Sequence, residues 1–589
     1  MVASERTLRI RWLGRVAYTD ALALQRSLAG NRRHDYLLLL EHPNVVTVTR
    51  RTPVDHLLAD IESLGAELVE TDRGGDVTYH GPGQLVAYPI VEVPGRRGGG
   101  MADTAAYVAS LEELLIESLR DVGVESGRIA GCTGVWVDLQ GRQPQKIAAI
   151  GVRITRGRSM HGVALNVDPD LSWYERIVPC GIRDKGVTSL AALGVDVSMP
   201  EMVEVFTQRA MALFAPHIPV DRAGVGFRTR RMDLAPFTRG EGPGLSEATM
   251  SGQAPSEQAF SEQADGTSVR LLGRLAQAGA TSHDPVRLRD RKPAWMRVKF
   301  DPAPEYRRVR STMRGLDLVT VCEEAGCPNI SECWNDGTAT FMILGDRCTR
   351  ACGFCLVDTR LPQAPDPDEA ARVAEAVELM GLRHVVVTMV ARDDLEDSGA
   401  GAVAEVIAAI RERSPQCRVE TLVSDFKGCD KSLRTVFDAQ PDVFSHNIET
   451  VARLQRAVRP SAGYARSLSV LGRAKAAGLT TKSSIIAGMG ENDDEIRQTL
   501  VDLAALCVDI VTIGQYLRPT SHHLPVAQWW QPEVFDEWKR FGESVGIAHV
   551  ESSPLTRSSY HARQSVDSLK SARITTNNVG NRADFVPGS

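Results

Sequence analysis

Two domains of different class are predicted: an α+β body over residues 1–221 and an open, partial α/β barrel over 291–589, joined by a flexible linker over 222–290. Three observations lead there. The chain has 589 residues, too many for one core when domains run to roughly 150 residues. Between about Arg222 and Asp290 the composition turns to Gly, Ser, Gln, Glu and Ala, as in Gly240-Glu-Gly-Pro-Gly244. Such a stretch buries too little apolar surface to offset ordering entropy. After Lys292 an apolar strand followed by an amphipathic helix recurs six times, the pattern of a parallel sheet.

In the first body, Leu8, Ile10 and Trp12 alternate with Arg9 and Arg11 as in a strand. Tyr36–Leu40 and Val45–Val48 are short apolar strands, and Asp103–Leu119 has helical spacing. Gly134–Val137, Lys146–Ile154 and Gly162–Val167 are further apolar runs set off by Gly, Pro and polar turns, so a largely antiparallel sheet is expected. In the second body the expected strands are Thr340–Leu344, His384–Val390, Arg418–Val423, Asp442–His446, Thr481–Ala487 and Asp509–Gln515. Helices between them carry apolar positions at helical spacing, such as Val373, Val377, Met380 and Ile496, Leu500, Leu503. Six units fall short of a closed eightfold barrel, and chemistry is expected at the C-terminal ends of the strands.

Hydrophobic residues at 43% and charged residues at 24% sit at the globular average and exclude a wholly disordered or membrane-embedded chain. No apolar run approaches the roughly 18 residues of a bilayer span, and the N-terminus lacks the apolar core of a signal peptide. With 68 basic against 74 acidic residues and a net charge of −6, neither a nucleic acid nor a membrane is indicated as a partner. Six of the eleven cysteines crowd between Cys322 and Cys355. That crowding, without a secretory signal, points to thiolate ligands in a reducing cytoplasm rather than to disulfides.

Cys348-Thr-Arg-Ala-Cys352-Gly-Phe-Cys355 follows the first barrel strand with Cys-x3-Cys-x2-Cys spacing. Three thiolates on one loop can hold three irons of a 4Fe–4S cube and leave the fourth open to substrate. A zinc site is the competing reading, although zinc favours four closed ligands. Buried core thiols fit less well beside Arg347, Thr349 and Arg350. The pattern resembles the radical S-adenosylmethionine superfamily, in which the open iron chelates the methionine moiety; the resemblance implies a 5′-deoxyadenosyl radical. A second triplet, Cys322, Cys327 and Cys333, has Cys-x4-Cys-x5-Cys spacing and asks for a cluster of its own, again one ligand short.

Thr320-Val-Cys-Glu-Glu-Ala-Gly-Cys-Pro-Asn329, Thr338–Asp346, Asn447-Ile-Glu-Thr450, Ile513-Gly-Gln-Tyr516 and Arg557-Ser-Ser-Tyr560 resemble the lipoyl synthase family over roughly 292–570. The resemblance supplies Ser559 as the missing ligand of the auxiliary cluster, where the residues alone would read as an ordinary turn. It also implies two 4Fe–4S clusters, S-adenosylmethionine, a reduced ferredoxin or flavodoxin type donor, and sulfur insertion at carbons 6 and 8 of a protein-bound octanoyl chain. Those carbons carry no acidic hydrogens for a base to remove, which is why radical chemistry is needed. Ala391 before Arg392-Asp-Asp394, Ser483-Ser484 and Ser552-Ser553-Pro554 depart from the family pattern; no cluster ligand is missing.

In the first body Arg73-Gly-Gly-Asp-Val-Thr-Tyr-His-Gly-Pro-Gly-Gln84 is glycine-dense, so a ligand can approach its backbone closely. A phosphate loop and a plain tight turn are both open readings of it. With Lys146-Ile-Ala-Ala-Ile-Gly151, His161-Gly-Val-Ala-Leu-Asn166 and Pro179-Cys180-Gly181-Ile182 it resembles the lipoyl(octanoyl) transferase family over roughly 8–215, on the biotin/lipoate protein ligase-like fold. A Cys180 thiol on an exposed turn could attack a thioester and hold the acyl group. The resemblance assigns Lys146 to help that thiol ionise; Cys132 is the rival nucleophile. The resemblance also implies that Arg73, Gly74, Gly75, Asp76, Val77, Thr78, Tyr79, His80, Ala149, Ile150, Gly151, Gly162, Val163 and Ala164 line the acyl site.

The expected chemistry is therefore bifunctional. Octanoyl passes from acyl carrier protein to a lysine of the lipoyl domains of 2-oxoacid dehydrogenases or of glycine cleavage H protein, and sulfur insertion follows. Competing readings are an ATP-dependent ligase for the first half, and a radical RNA-modifying enzyme or a zinc-binding scaffold for the second.

Overall fold

The computed structural model describes residues 6–96, 100–141, 143–182, 185–223, 291–297, 304–320, 329–335 and 339–567, together with residues 275, 278, 323, 327 and 569. The chain divides into two compact units, Met1–Arg230 and Arg231–Ser589.

Strands of the first unit are β1 (Leu8–Arg15), β2 (Asp35–Glu41), β3 (Val45–Thr49), β4 (Glu67–Thr71), β5 (Thr78–His80), β6 (Gln84–Ile90), β7 (Gly127–Ile129), β8 (Cys132–Val137), β9 (Gln145–Thr155), β10 (Arg158–Asn166), β11 (Gly186–Val187) and β12 (Val220–Ala223). A nine-stranded sheet runs β12-β1-β2-β6-β10-β9-β8-β7 with β11 beside β9, and β4-β3-β5 form a smaller one. The expected antiparallel pairing holds from β2 through β6, β10, β9 and β8 to β7. Strand β1 instead pairs in parallel with β2 and β12. Arg222 and Ala223, expected in the linker, are therefore held in this sheet by backbone pairing with Ile10 and Arg11. Apart from residues 275 and 278, the rest of the expected linker lies outside the described residues.

Helices α1 (Tyr18–Gly30), α2 (Thr104–Asp121) and α3 (Met199–Phe214) cover the sheet. Leu111, Leu115 and Leu119 of α2 and Met202, Val203 and Phe206 of α3 share a core with Leu37, Leu39, Leu85 and Leu165. Tyr18 and Leu22 of α1 pack with Val45 and Met160. Covered on both faces, Tyr36–Leu40 is buried throughout and so reads as a continuous apolar run rather than an alternation.

Strands of the second unit are β13 (Val319–Thr320), β14 (Thr340–Ile343), β15 (His384–Met389), β16 (Arg418–Leu422), β17 (Val443–Ser445), β18 (Thr481–Ala487), β19 (Ile510–Gln515) and β20 (His549–Ser552), and they lie in sequence order. From β14 to β20 all neighbours are parallel; β13 is antiparallel to β14. All six expected strands are present to within one residue at each end. A seventh parallel strand, β20, adds to them; only Val550 and Ser552 of its four residues are buried, too short an alternation to stand out. Strands β13 and β20 stand at opposite edges of the sheet, so the barrel is open. Val373, Val377, Val403, Ile407 and Val436 on the covering helices join Val385, Val387 and Val419 in one core. No helix among the described residues is long and apolar enough to cross a membrane.

Candidate active sites

A cavity of about 370 Å³ opens at the C-terminal ends of the barrel strands, where a parallel barrel places its chemistry. Cys348, Cys352 and Cys355 border it from the loop after β14, and Cys327, Ser558 and Ser559 border the same cavity from two other segments. Cys333 does not border that cavity; it lies in another, of about 210 Å³, with Glu332, Tyr560 and His561. The 327–333 stretch is bound to the chain around Ser559: Asn329 Nδ2 donates to Leu555 O at 2.7 Å and the Tyr560 hydroxyl to Glu332 Oε1 at 3.0 Å. Cys322 lies outside the described residues.

The thiol loop is fastened at several points. Thr349 donates through both N and Oγ1 to Ala391 O at 2.9 Å, Gly353 N to Val458 O at 2.8 Å, and His523 Nε2 to Cys355 O at 2.8 Å. Arg350 donates to both carboxylate oxygens of Asp393 and to Asp425 Oδ1 at 2.6–2.8 Å. Sequence reasoning missed this clamp. Burial pushes the Cys352 thiol up to about 11 and Cys355 to about 12, so assembling a cluster on them must release protons. In the lining of the same cavity Asn447 Oδ1 and Glu449 Oε2 are buried with no hydrogen-bond partner, and burial raises the Glu449 carboxyl. Orphaned acceptors beside three thiols suit a ligand that brings ammonium or hydroxyl donors, so the residues present fit an iron–sulfur cluster with an amino-acid-bearing nucleoside on it.

In the first unit a second cavity, about 40 Å³, is enclosed by Arg73, Gly75, Asp76, Thr78, His80, Ala149, Ile150, Gly151, Gly162, Val163 and Ala164, eleven of the fourteen residues expected there. Gly74, Val77 and Tyr79 stand behind this wall. Successive strand residues face opposite sides, so Thr78 and His80 face the cavity while Tyr79 stacks on Trp173 at 5.5 Å and Val77 joins the same small core. Gly74 N donates to Val152 O at 3.0 Å, and a methyl on Gly151 would come within 2.9 Å of Gly74 O. The glycines therefore let the loop lie directly on β9.

Tyr18, Tyr88 and His161 complete the cavity wall, and only His161 lay in a motif singled out from the sequence. His80 Nδ1 donates to Gln84 Oε1 at 2.7 Å, and the Tyr88 hydroxyl donates to His42 Nε2 at 2.8 Å, since His42 Nδ1 is engaged with Val16 O. Burial pushes His80 down to about 3 and His42 to about 4, so both are neutral at ordinary pH. Lys146 is buried on β9 with Nζ 4.8 Å over the Trp136 ring. Cys180 sits in the 3-10 turn Pro179–Gly181, and β11 returns the chain to pair with Lys146 a few residues later. Cys132 begins β8 and does not border the cavity.

An open parallel barrel with a three-thiol loop after its first parallel strand defines a radical S-adenosylmethionine enzyme, and residues 342–503 match the radical SAM superfamily model. Residues 17–210 match the lipoyl protein ligase A/B catalytic domain. The lipoyl synthase of Rubrobacter xylanophilus is 54% identical over 281 residues, covering 47% of this chain and 88% of that protein. That of Oceanobacillus iheyensis is 52% identical over 286 residues, covering 48% and 91%. The chain belongs to the lipoyl synthase family through its C-terminal half and carries a lipoate ligase/transferase type domain ahead of it. A crystal structure of lipoate-protein ligase A bound with ATP overlaps 38% of this chain and 90% of its own at 16% identity and a TM-score of 0.29. Iron–sulfur and S-adenosylmethionine binding follow from the superfamily.

Proposed function

We propose that the chain catalyses two consecutive steps of lipoate formation on one protein substrate, in the cytoplasm. In the first, the Cys180 thiolate attacks the thioester of octanoyl-acyl carrier protein, takes the octanoyl group, and yields it to a lysine of a lipoyl domain, from a 2-oxoacid dehydrogenase or glycine cleavage H protein. Lys146 favours the thiolate by its charge. Small residues of β9 and β10 form the acyl site. The family model spans ligases and transferases alike; a cysteine between Pro179 and Gly181 favours transfer over ATP-dependent ligation.

In the second step, sulfur enters at carbons 6 and 8. Two 4Fe–4S clusters and S-adenosylmethionine, with electrons from a ferredoxin or flavodoxin type donor, would supply hydrogen abstraction and the sulfur. Cys348, Cys352 and Cys355 would hold one cluster, and Cys322, Cys327, Cys333 and Ser559 the other. Asn447 and Glu449 would accept from the ammonium and hydroxyl groups of S-adenosylmethionine, and Met342, Val390, Leu422 and Ile485 give the octanoyl chain a dry wall. The observation that carries this reading is the single cavity bordered by the thiol loop and by Cys327 and Ser559.

The test is the mass of an apo lipoyl domain incubated with the chain, octanoyl-acyl carrier protein, reductant and S-adenosylmethionine. Octanoylation without S-adenosylmethionine and two added sulfurs with it are expected. Octanoylation that requires free octanoate and ATP would overturn the first step.

A further inference from the structure

Resting on the reading of Ser559 as the oxygen ligand of the auxiliary cluster, we propose that Asn329 is a positioning residue that holds the serine turn in reach of that cluster. Asn329 is 2% exposed, and three of its polar groups point to three parts of the site. Its backbone N–H bonds the Cys327 thiol, and its carbonyl accepts from Cys333 N at 2.9 Å. Its side-chain Nδ2 donates to Leu555 O at 2.7 Å. One residue thereby meets two of the auxiliary thiol positions and the segment that leads into Ser559.

The turn that Asn329 grips is rooted on the barrel just there. Ser553 N donates to Ile513 O at 3.2 Å and Gln515 N to Pro554 O at 3.1 Å. A methyl on Gly514 would lie 1.9 Å from Thr556 O, so the glycine lets residues 553–556 lie directly on β19. Beyond them Tyr560 N donates to Arg557 O at 3.0 Å and closes the turn around Ser558 and Ser559. Two side-chain bonds reach this turn from the 329–333 stretch, Asn329 to Leu555 and Tyr560 to Glu332. The first is partly buried and the second exposed. Water replaces the exposed bond at little cost, so the Asn329 bond carries the hold.

The division of labour within Asn329 makes the role separable. The bonds to Cys327 and Cys333 use backbone groups that any residue but proline supplies. Only the bond to Leu555 uses the side chain, whose amide is an uncharged donor that neither a carboxylate nor an apolar group replaces. Substitution at 329 therefore frees the serine turn and leaves the thiols where they are. Hydrogen bonds behind a metal ligand act by orienting it, so the consequence is a weakened oxygen ligand on an otherwise intact cluster.

The test uses the full chain with Cys348→Ala, Cys352→Ala and Cys355→Ala, reconstituted anaerobically with iron and sulfide so that the auxiliary cluster is observed by itself. Ferricyanide then removes the least firmly held iron, and the 3Fe–4S product is followed by its electron paramagnetic resonance signal. Ser559→Ala should speed that loss. Asn329→Leu and Asn329→Ala should each speed it by about tenfold, the factor that one lost hydrogen bond of this kind represents. Added to Ser559→Ala, Asn329→Leu should speed it no further, because the side chain acts through the serine. An unaltered rate in both Asn329 variants would overturn the role of Asn329. The same acceleration on top of Ser559→Ala, or failure of both Asn329 variants to assemble a cluster, would also overturn it, since the residue would then be supporting the thiols. An unaltered rate in Ser559→Ala would instead remove the serine reading, and the proposal with it.

Discussion

Replacing Arg350 by Met should unfasten the thiol loop at a cost the structure allows to be worked out. The Arg350 side chain is 7% exposed and that of Asp425 0%. Its bonds to Asp393 and Asp425 join the loop after β14 to those after β15 and β16. Burial alone would raise the Asp425 carboxyl; Arg350 reverses this and holds it below its ordinary range. Without the guanidinium a buried carboxylate is stranded, one of whose oxygens already lacks a partner. Breaking such a pair costs roughly 3–5 kcal/mol, or roughly 6–20 °C in the barrel's midpoint at about 2–4 °C per kcal/mol. A depressed carboxyl contributes stability above its unfolded pKa and loses it as pH falls through the folded value. The gap between Arg350→Met and the unaltered chain should therefore be full at pH 7 and close below about pH 4. Scanning calorimetry of the full chain checks this, and Arg350→Met/Asp425→Asn should recover most of the loss. A single-variant loss below about 1 kcal/mol, or one indifferent to pH, would refute the reasoning.

Inside the barrel, Lys482 Nζ meets Glu420 Oε1 at 2.8 Å with both side chains 1% exposed. Lys482→Met should cost roughly 3–5 kcal/mol by denaturant titration, and the double variant Lys482→Met/Glu420→Leu should regain most of it. In the first unit a methyl on Gly151 would sit 2.9 Å from Gly74 O and 3.1 Å from Arg73 Cδ. Gly151→Ala should push the 73–75 loop off β9 and slow octanoyl transfer roughly ten- to hundredfold with the circular dichroism spectrum unchanged.

Much of the barrel was legible because each strand and helix carries its own periodicity, and the Cys348 loop because its spacing is local. The clamp on that loop was not legible. Arg350 meets Asp393 and Asp425 across 43 and 75 residues of sequence, and no local pattern marks either carboxylate as its partner. The glycine-dense segment was read whole as lining, yet strand alternation turns Tyr79 to Trp173 and His80 to the cavity. Tyr18 and Tyr88 arrive from α1 and β6, where each reads as an ordinary apolar position.

Iron and acid-labile sulfide content of anaerobically prepared full-length chain tests the central claim most directly. Two clusters predict roughly eight irons and eight sulfides per chain, falling to roughly four in a Cys322→Ala/Cys327→Ala/Cys333→Ala variant that still cleaves S-adenosylmethionine. Four irons or fewer in the unaltered chain, or no loss of iron in that variant, would contradict it.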